Sequence, residues 1–289
     1  MIADFEYFAP KTIEEALSLL SRHKDSKIIA GGQSLLVVLK QRFLAPAYLI
    51  DIKNLAGLDY IRYDDKQGLK IGALAVHRAI EMHPVIKQRF SVLSDMENNV
   101  ATVQTRNWGT IGGNICHGDP AGDPATVFIV LQAKLLLKSK TKERTIDMEK
   151  FSKDYLEVSL KHNEMLVEIQ VPNVAPHTGL AHRKLMVMKG DMGIVGAAVS
   201  ITLDKGKICK DARIAISNAA SVPLRAKKAE KILIGKVIND NLLAKAGEAA
   251  AAEADPPADV HGSSEYRREM VKVFVPRVAR LALEKAGAA

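Results

Sequence analysis

Cysteine is almost missing from this chain. Its 289 residues hold only Cys116 and Cys209. A zinc site or iron–sulfur cluster built from the chain's own thiols would need about four, so such centres are excluded. Two distant cysteines also argue against a disulfide scaffold and favour a reducing compartment. Aromatic residues are scarce at 5%, with a single tryptophan, and there is no zinc-finger spacing or RNP motif. Nucleic-acid binding is therefore not expected. No apolar run approaches the ~18 residues of a membrane span. The opening stretch MIADFEYFAPKTIEEALSLL has no basic n-region, and acidic residues interrupt its apolar positions. It is not expected to be a signal peptide, and the expected location is cytoplasmic. Charge of one sign is only mildly in excess: 41 Lys and Arg against 33 Asp and Glu give +8, interspersed rather than in blocks. A solvated surface accounts for this, as would a face for a partner subunit or an anionic cofactor.

What remains is ordinary soluble-protein composition, 47% hydrophobic and 26% charged. The length predicts about two domains and a core large enough to need no covalent staple. Residues 12–23 read as an amphipathic helix, with Thr12 and Glu15 at capping-box spacing. A short strand at 27–30, a glycine turn, a helix at 35–42 and a strand at 48–51 follow. Residues 58–76 alternate in the manner of strands, with a turn at 64–68, and 77–103 read as mainly helical with Pro84 near a helix start. A Gly/Asn-rich stretch follows at 107–114, expected to be neither regular helix nor central strand. Then come a helix at 124–132 and strands at 133–138 and 164–171. Residues 173–179 read as a linker. Beyond it lie three strands (180–190, 194–203, 210–217), helices at 226–234 and 244–254, and a long helix from about Ser263 that Pro276 must kink or split.

Two glycine pairs could carry chemistry. Ala30, Gly31, Gly32, Gln33 and Ser34 lie between a strand and a helix. Glycine allows close backbone approach and positive φ, and the helix start offers free N–H groups to an anion such as pyrophosphate. Ser34 would add a hydroxyl or serve as an N-cap. Thr110, Ile111, Gly112, Gly113 and Asn114 form a second such segment. Either could be a plain turn or surface loop; together they could clasp the two phosphates of a dinucleotide. Neither is a G-x-G-x-x-G or P-loop fingerprint. The eight histidines show no metal spacing. Asp123 could cap the following helix or accept a hydrogen bond from a ribityl or ribose hydroxyl. Without paired catalytic carboxylates, a triad or a metal cluster, any reaction is expected to be carried by a bound cofactor.

The segments Ala30–Ser34, Thr110–Asn114, Asp119–Asp123 and Gly262–Arg267 occur in an order and at separations that resemble the FAD-binding medium subunit of the molybdenum hydroxylases. That family includes carbon monoxide dehydrogenase, xanthine dehydrogenase and related aldehyde or N-heterocycle dehydrogenases. The resemblance covers essentially the whole chain. It implies an α+β fold: a PCMH (vanillyl-alcohol-oxidase)-type FAD-binding domain of two α/β lobes, about 1–56 and about 57–175, then a small α+β flavoprotein C-terminal domain over 176–289 with a three-stranded antiparallel sheet plus helices. It implies that Ala30–Ser34 and Thr110–Asn114 hold the FAD pyrophosphate through backbone N–H groups. Asp123 would bond the ribityl or adenosine part, Leu166 would touch the flavin, and Lys189 and Asp191 would face the isoalloxazine from the C-terminal domain. Met192 stands where relatives often carry tyrosine. The implied role is electron transfer. A large molybdopterin-binding subunit hydroxylates substrate, a small subunit with [2Fe–2S] clusters relays electrons, and FAD here passes them to an external acceptor; the complex would be a dimer of heterotrimers. The alternatives are a free-standing flavin reductase resembling MurB and a flavin-free assembly subunit.

Overall fold

The structure, a computed structural model, describes residues 2–288. The first elements are β1 (Glu6–Phe8), α1 (Ile13–Arg22), β2 (Ser26–Ile29), α2 (Leu35–Lys40) and β3 (Tyr48–Asp51). β1 and β2 both pair parallel with the central β3. Parallel neighbours need crossovers; α1 and α2 supply them. The Thr12 hydroxyl accepts the Glu15 amide at 3.1 Å and the Glu15 carboxylate accepts the Lys11 amide at 2.7 Å. This cap starts α1 so that Ala16, Leu17 and Leu20 pack on Ile50 and Ile52.

A second, larger unit comprises β4 (Ile61–Asp64), β5 (Gly68–Gly72), α3 (His77–Met82), α4 (Pro84–Arg89), α5 (Ser91–Glu97), α6 (Val103–Trp108), α7 (Ile111–His117), α8 (Asp123–Val130), β6 (Lys134–Lys138), β7 (Glu143–Asp147), β8 (Ser152–Asp154), β9 (Glu157–Val158) and β10 (Met165–Val171). Five strands form an antiparallel sheet in the order β4-β5-β10-β6-β7, and β8 and β9 make a separate ribbon. Pro84 is the first residue of α4, where its missing N–H costs nothing.

The Gly/Asn-rich stretch departs from expectation. It is helical, split into α6 and α7 around Gly109. The Thr110 hydroxyl accepts the Gly113 amide and caps α7. Gly112 lets that helix lie directly on Ala73, since a Cβ there would come within 2.6 Å of the Ala73 carbonyl oxygen. A cap and a close contact thus offset the low helix propensity of two glycines.

The remaining elements are β11 (Thr178–Leu185), β12 (Val195–Leu203), β13 (Cys209–Ser217), β14 (Leu224–Arg225), α9 (Lys227–Leu233), α10 (Asp240–Glu253) and α11 (Ser264–Ala288). They form an antiparallel sheet ordered β11-β12-β13-β14. The expected three strands are joined by a fourth of two residues, too short to leave a periodic signal. One face carries Val199, Ile201, Ile214 and Ile216 against Leu243, Val271 and Val275 of α10 and α11. The other presents Ala198 and Ala215 to the core of the preceding unit. All eight residues of α8 are buried at this junction. Pro276 does not split α11. Among the described residues no helix is long and apolar enough to cross a membrane.

Candidate functional site

The two glycine segments meet. An ideal Cβ on Gly31 would fall 2.1 Å from the Trp108 carbonyl oxygen and 2.8 Å from the Gly109 Cα. The first segment therefore lies directly against the entry to the second. Gly31 and Gly112 are glycines because protein backbone approaches them. Gly32 is one because its φ is +71°, in the left-handed region.

Around this junction opens a cleft of about 750 Å³. It is lined by Ala30, Gly31, Gly32, Gln33 and Ser34 on one side and by Thr110, Gly112, Gly113 and Asn114 on the other. Asp123 and Leu166 line it from the second unit, and Lys184, Gly190, Asp191 and Met192 from the C-terminal part. Two expected residues lie elsewhere. Ile111 is fully buried and does not line the cleft, while Lys189 sits on the exposed turn with Nζ 3.4 Å from Asn98 Oδ1. Asp191 uses Oδ2 to accept the Met188 amide, which fixes the turn.

The polar groups of the two segments differ. Among the described residues, no protein acceptor pairs with the amides of Gly32, Gln33, Ser34 or Leu35; the first helical bond of α2 runs from Leu36 N–H to Gly32 O. Ser34 is the N-cap of α2 but makes no side-chain cap bond, leaving its hydroxyl free. In the second segment the expected free N–H groups are already engaged. The Ile111 amide donates to Ala75 O, Gly112 to Ala73 O, Gly113 to Thr110 Oγ1 and Asn114 to Thr110 O. Its donors toward a ligand are instead the Thr110 hydroxyl proton and the Asn114 side-chain amide.

Asp123 does not cap α8 through its side chain. Its Oδ2 accepts Lys184 Nζ at 2.7 Å, and its buried Oδ1, 3.6 Å from His182 Nε2, has no hydrogen-bond partner among the described residues. Burial lowers the His182 pKa, favouring the neutral ring. Cys116 also lines the cleft, but desolvation pushes its pKa up to about 12, so it is a thiol rather than a nucleophile.

Sequence reasoning missed three polar residues here. Lys184 lies in a strand with nothing local to mark it as a partner of Asp123. His77 lines the cleft, and its Nδ1 is 2.8 Å from Oε2 of Glu97, which is wholly buried. Twenty residues separate that pair, and no spacing rule connects them. Among the described residues no group of three or more metal-ligating side chains occurs.

Free amides, an orphaned carboxylate oxygen and apolar walls fit a dinucleotide. Residues 3–174 match the family described as FAD binding domain in molybdopterin dehydrogenase, and residues 181–282 match the CO dehydrogenase flavoprotein C-terminal domain. The chain belongs to this FAD-binding subunit family. It is 36% identical to the 6-hydroxypseudooxynicotine dehydrogenase complex subunit alpha of Paenarthrobacter nicotinovorans over 98% of this chain and 95% of that protein. To the carbon monoxide dehydrogenase medium chain of Hydrogenophaga pseudoflava it is 35% identical, over 96% of each. The solved carbon monoxide dehydrogenase from Hydrogenophaga pseudoflava superposes with a TM-score of 0.95 at 36% identity, covering 99% of both chains. Quinoline 2-oxidoreductase from Pseudomonas putida 86 superposes at 0.92 with 30% identity, again over 99% of both. The medium-subunit family and its fold, expected from the ordered motifs, are thereby shown.

Proposed function

We propose that this chain is the FAD-binding electron-transfer subunit of a multi-subunit molybdenum hydroxylase. The observation that carries the reading is the cleft itself, where both glycine segments, Asp123 and Leu166 converge in a chain matched end to end by medium-chain relatives. Residues 1–175, in lobes of about 1–56 and about 57–175, form the FAD domain, and 176–289 the C-terminal domain that closes over it. When bound, FAD supplies two-electron chemistry, taking electrons from the iron–sulfur clusters of a partner and yielding them to an external acceptor.

The chain's own residues bind and orient. The amides of Gly32, Gln33, Ser34 and Leu35 and the Ser34 hydroxyl face the pyrophosphate, with Ala30 and Gly31 setting the loop. Thr110 and Asn114 donate side-chain hydrogen bonds from the opposite wall, while Ile111, Gly112 and Gly113 hold the helix that presents them. Asp123 Oδ1 accepts from a cofactor hydroxyl. Leu166 packs on the ring system, and the turn bearing Lys189, Asp191 and Met192 covers it.

The partners are a large molybdopterin-binding subunit and a small [2Fe–2S] subunit, arranged as a dimer of heterotrimers in the cytoplasm. Purification of the complex with its partners is expected to yield about one noncovalent FAD per copy of this chain. A complex that carries its clusters but no flavin would overturn the reading in favour of an assembly subunit. Turnover of its own substrate with NAD(P)H by the chain alone would instead favour a free-standing reductase.

A further inference from the structure

His77 and Glu97 are polar groups in the cleft region that take no part in the contacts described above. His77 is the first residue of α3, Glu97 the last of α5, and they are 3% and 0% exposed. Nδ1 of the ring is tied to Glu97 Oε2, while Glu97 Oε1 is buried with no partner among the described residues. The other edge of the ring lies where the two glycine segments meet. Its Cδ2 would be 3.1 Å from a Cβ on Gly109, and Gln33 Cγ 3.5 Å from the same point. Nε2, adjacent to Cδ2, has no protein hydrogen bond among the described residues.

We infer that His77 and Glu97 form a proton-holding pair for the cofactor's diphosphate, with Nε2–H of His77 donating to a phosphate oxygen and Glu97 anchoring Nδ1. This rests on the FAD reading above. The proton count follows from the geometry. With one proton between the two groups, Glu97 is an anion, Nδ1 carries the hydrogen, and Nε2 shows a lone pair to the cleft. That state repels a diphosphate twice over, by charge and by lone pair. With a second proton the pair is neutral overall and Nε2 becomes a donor. A diphosphate therefore binds together with one proton drawn from solvent.

The surroundings favour this route. Burial disfavours the charged form of Glu97 and raises its pKa; His77 opposes that shift, while neighbouring Asp123 and Glu81 add to it. Glu81 is already held by Arg78 and Arg106, and Asp123 by Lys184. None of these three cations is then free to neutralise Glu97. The other titratable groups lining the cleft are Lys27, Cys116, His117, Asp119 and Asp191; His182 stands behind Asp123.

The test is calorimetry on the flavin-depleted full-length chain in buffers of different ionisation enthalpy, from about pH 6 to about pH 9. FAD is one ligand, ADP-ribose keeps the diphosphate without a flavin, and riboflavin keeps the flavin without phosphate. FAD and ADP-ribose are expected to draw up to about one proton on the alkaline side and to weaken as pH rises; riboflavin is expected to draw none. His77→Gln is expected to abolish the uptake and weaken FAD binding about 10- to 100-fold. Glu97→Gln, which leaves Nε2–H as a neutral donor, is expected to abolish the uptake with a smaller loss of affinity. Tight FAD binding by the unsubstituted chain without proton uptake, or uptake that survives His77→Gln, overturns this inference and leaves the FAD reading intact. Absence of FAD binding by the unsubstituted chain overturns both. If either variant does not fold, as judged by circular dichroism, the three-ligand comparison on the unsubstituted chain decides alone.

Discussion

Glycine in the two segments has two separate physical causes. At Gly31 and Gly112 it is close approach of protein backbone; at Gly32 it is the sign of φ. Gly31→Ala is therefore expected to push the first segment off Trp108 and Gly109, costing about 1–3 kcal/mol and most of the bound flavin. Thermal melting and flavin absorbance read the two losses; an unchanged melting temperature would refute the close-packing account. Outside the cleft lining, Arg144 donates to both carboxylate oxygens of Glu164 at 2.8 and 2.7 Å. The Arg144 guanidinium is the main reason the Glu164 carboxyl lies below its ordinary value of 4.5. A depressed folded-state value means that stabilisation is complete above about pH 4.5 and is lost as pH falls through the depressed value. Glu164→Gln is expected to lower the melting temperature at neutral pH, with the gap to the parent closing in acid. A gap independent of pH would refute the ionic explanation.

At the scale of elements, α10 and α11 show why Pro276 is tolerated. A proline in a helix removes one N–H and frees the carbonyl four residues earlier, here Lys272 O. α10 presents Gly247 to this spot: a Cβ there would lie 2.7 Å from Lys272 O and 2.7 Å from Pro276 Cγ. The bulky ring and the missing side chain are complementary. Gly247→Ala should raise helix propensity by about 1 kcal/mol, yet overpacking is expected to outweigh it, with a net loss of about 1–2 kcal/mol by chemical denaturation. A stabilised variant would refute this. From sequence alone Pro276 is only a helix problem, and nothing local marks Gly247. Each makes sense only opposite the other.

For the whole molecule, the junction between the FAD-domain match and the C-terminal match is the decisive region. It combines the fully buried α8 with an ion pair across the boundary, Lys184 Nζ to Asp123 Oδ2. Both side chains are at least 95% buried. Lys184→Met would leave Asp123 charged and unpaired in the interior, at a cost of about 3–5 kcal/mol. The double variant with Asp123→Asn should recover part of that. Non-recovery in melting experiments would show that the pair does not act as a unit. Because both residues line the cleft, the same junction couples the closeness of the two parts to the cofactor.

Much was settled by local pattern. Capping residues, alternation and proline position were enough to place α1, α4 and the long strands, because each depends on neighbours within a few positions. Scarce cysteine excluded an iron–sulfur cluster in this chain, and the ordered glycine segments pointed to the family. Other features depended on distant partners. Helical α7 in a glycine-rich stretch needed Ala73 beneath it, and the engagement of its amides needed the carbonyls of Ala73 and Ala75. The pairing of Asp123 with Lys184 and of His77 with Glu97 needed strands and helices brought together by burial. Local sequence carries backbone preference; which polar groups remain unpaired to meet a ligand is set only when the chain has packed.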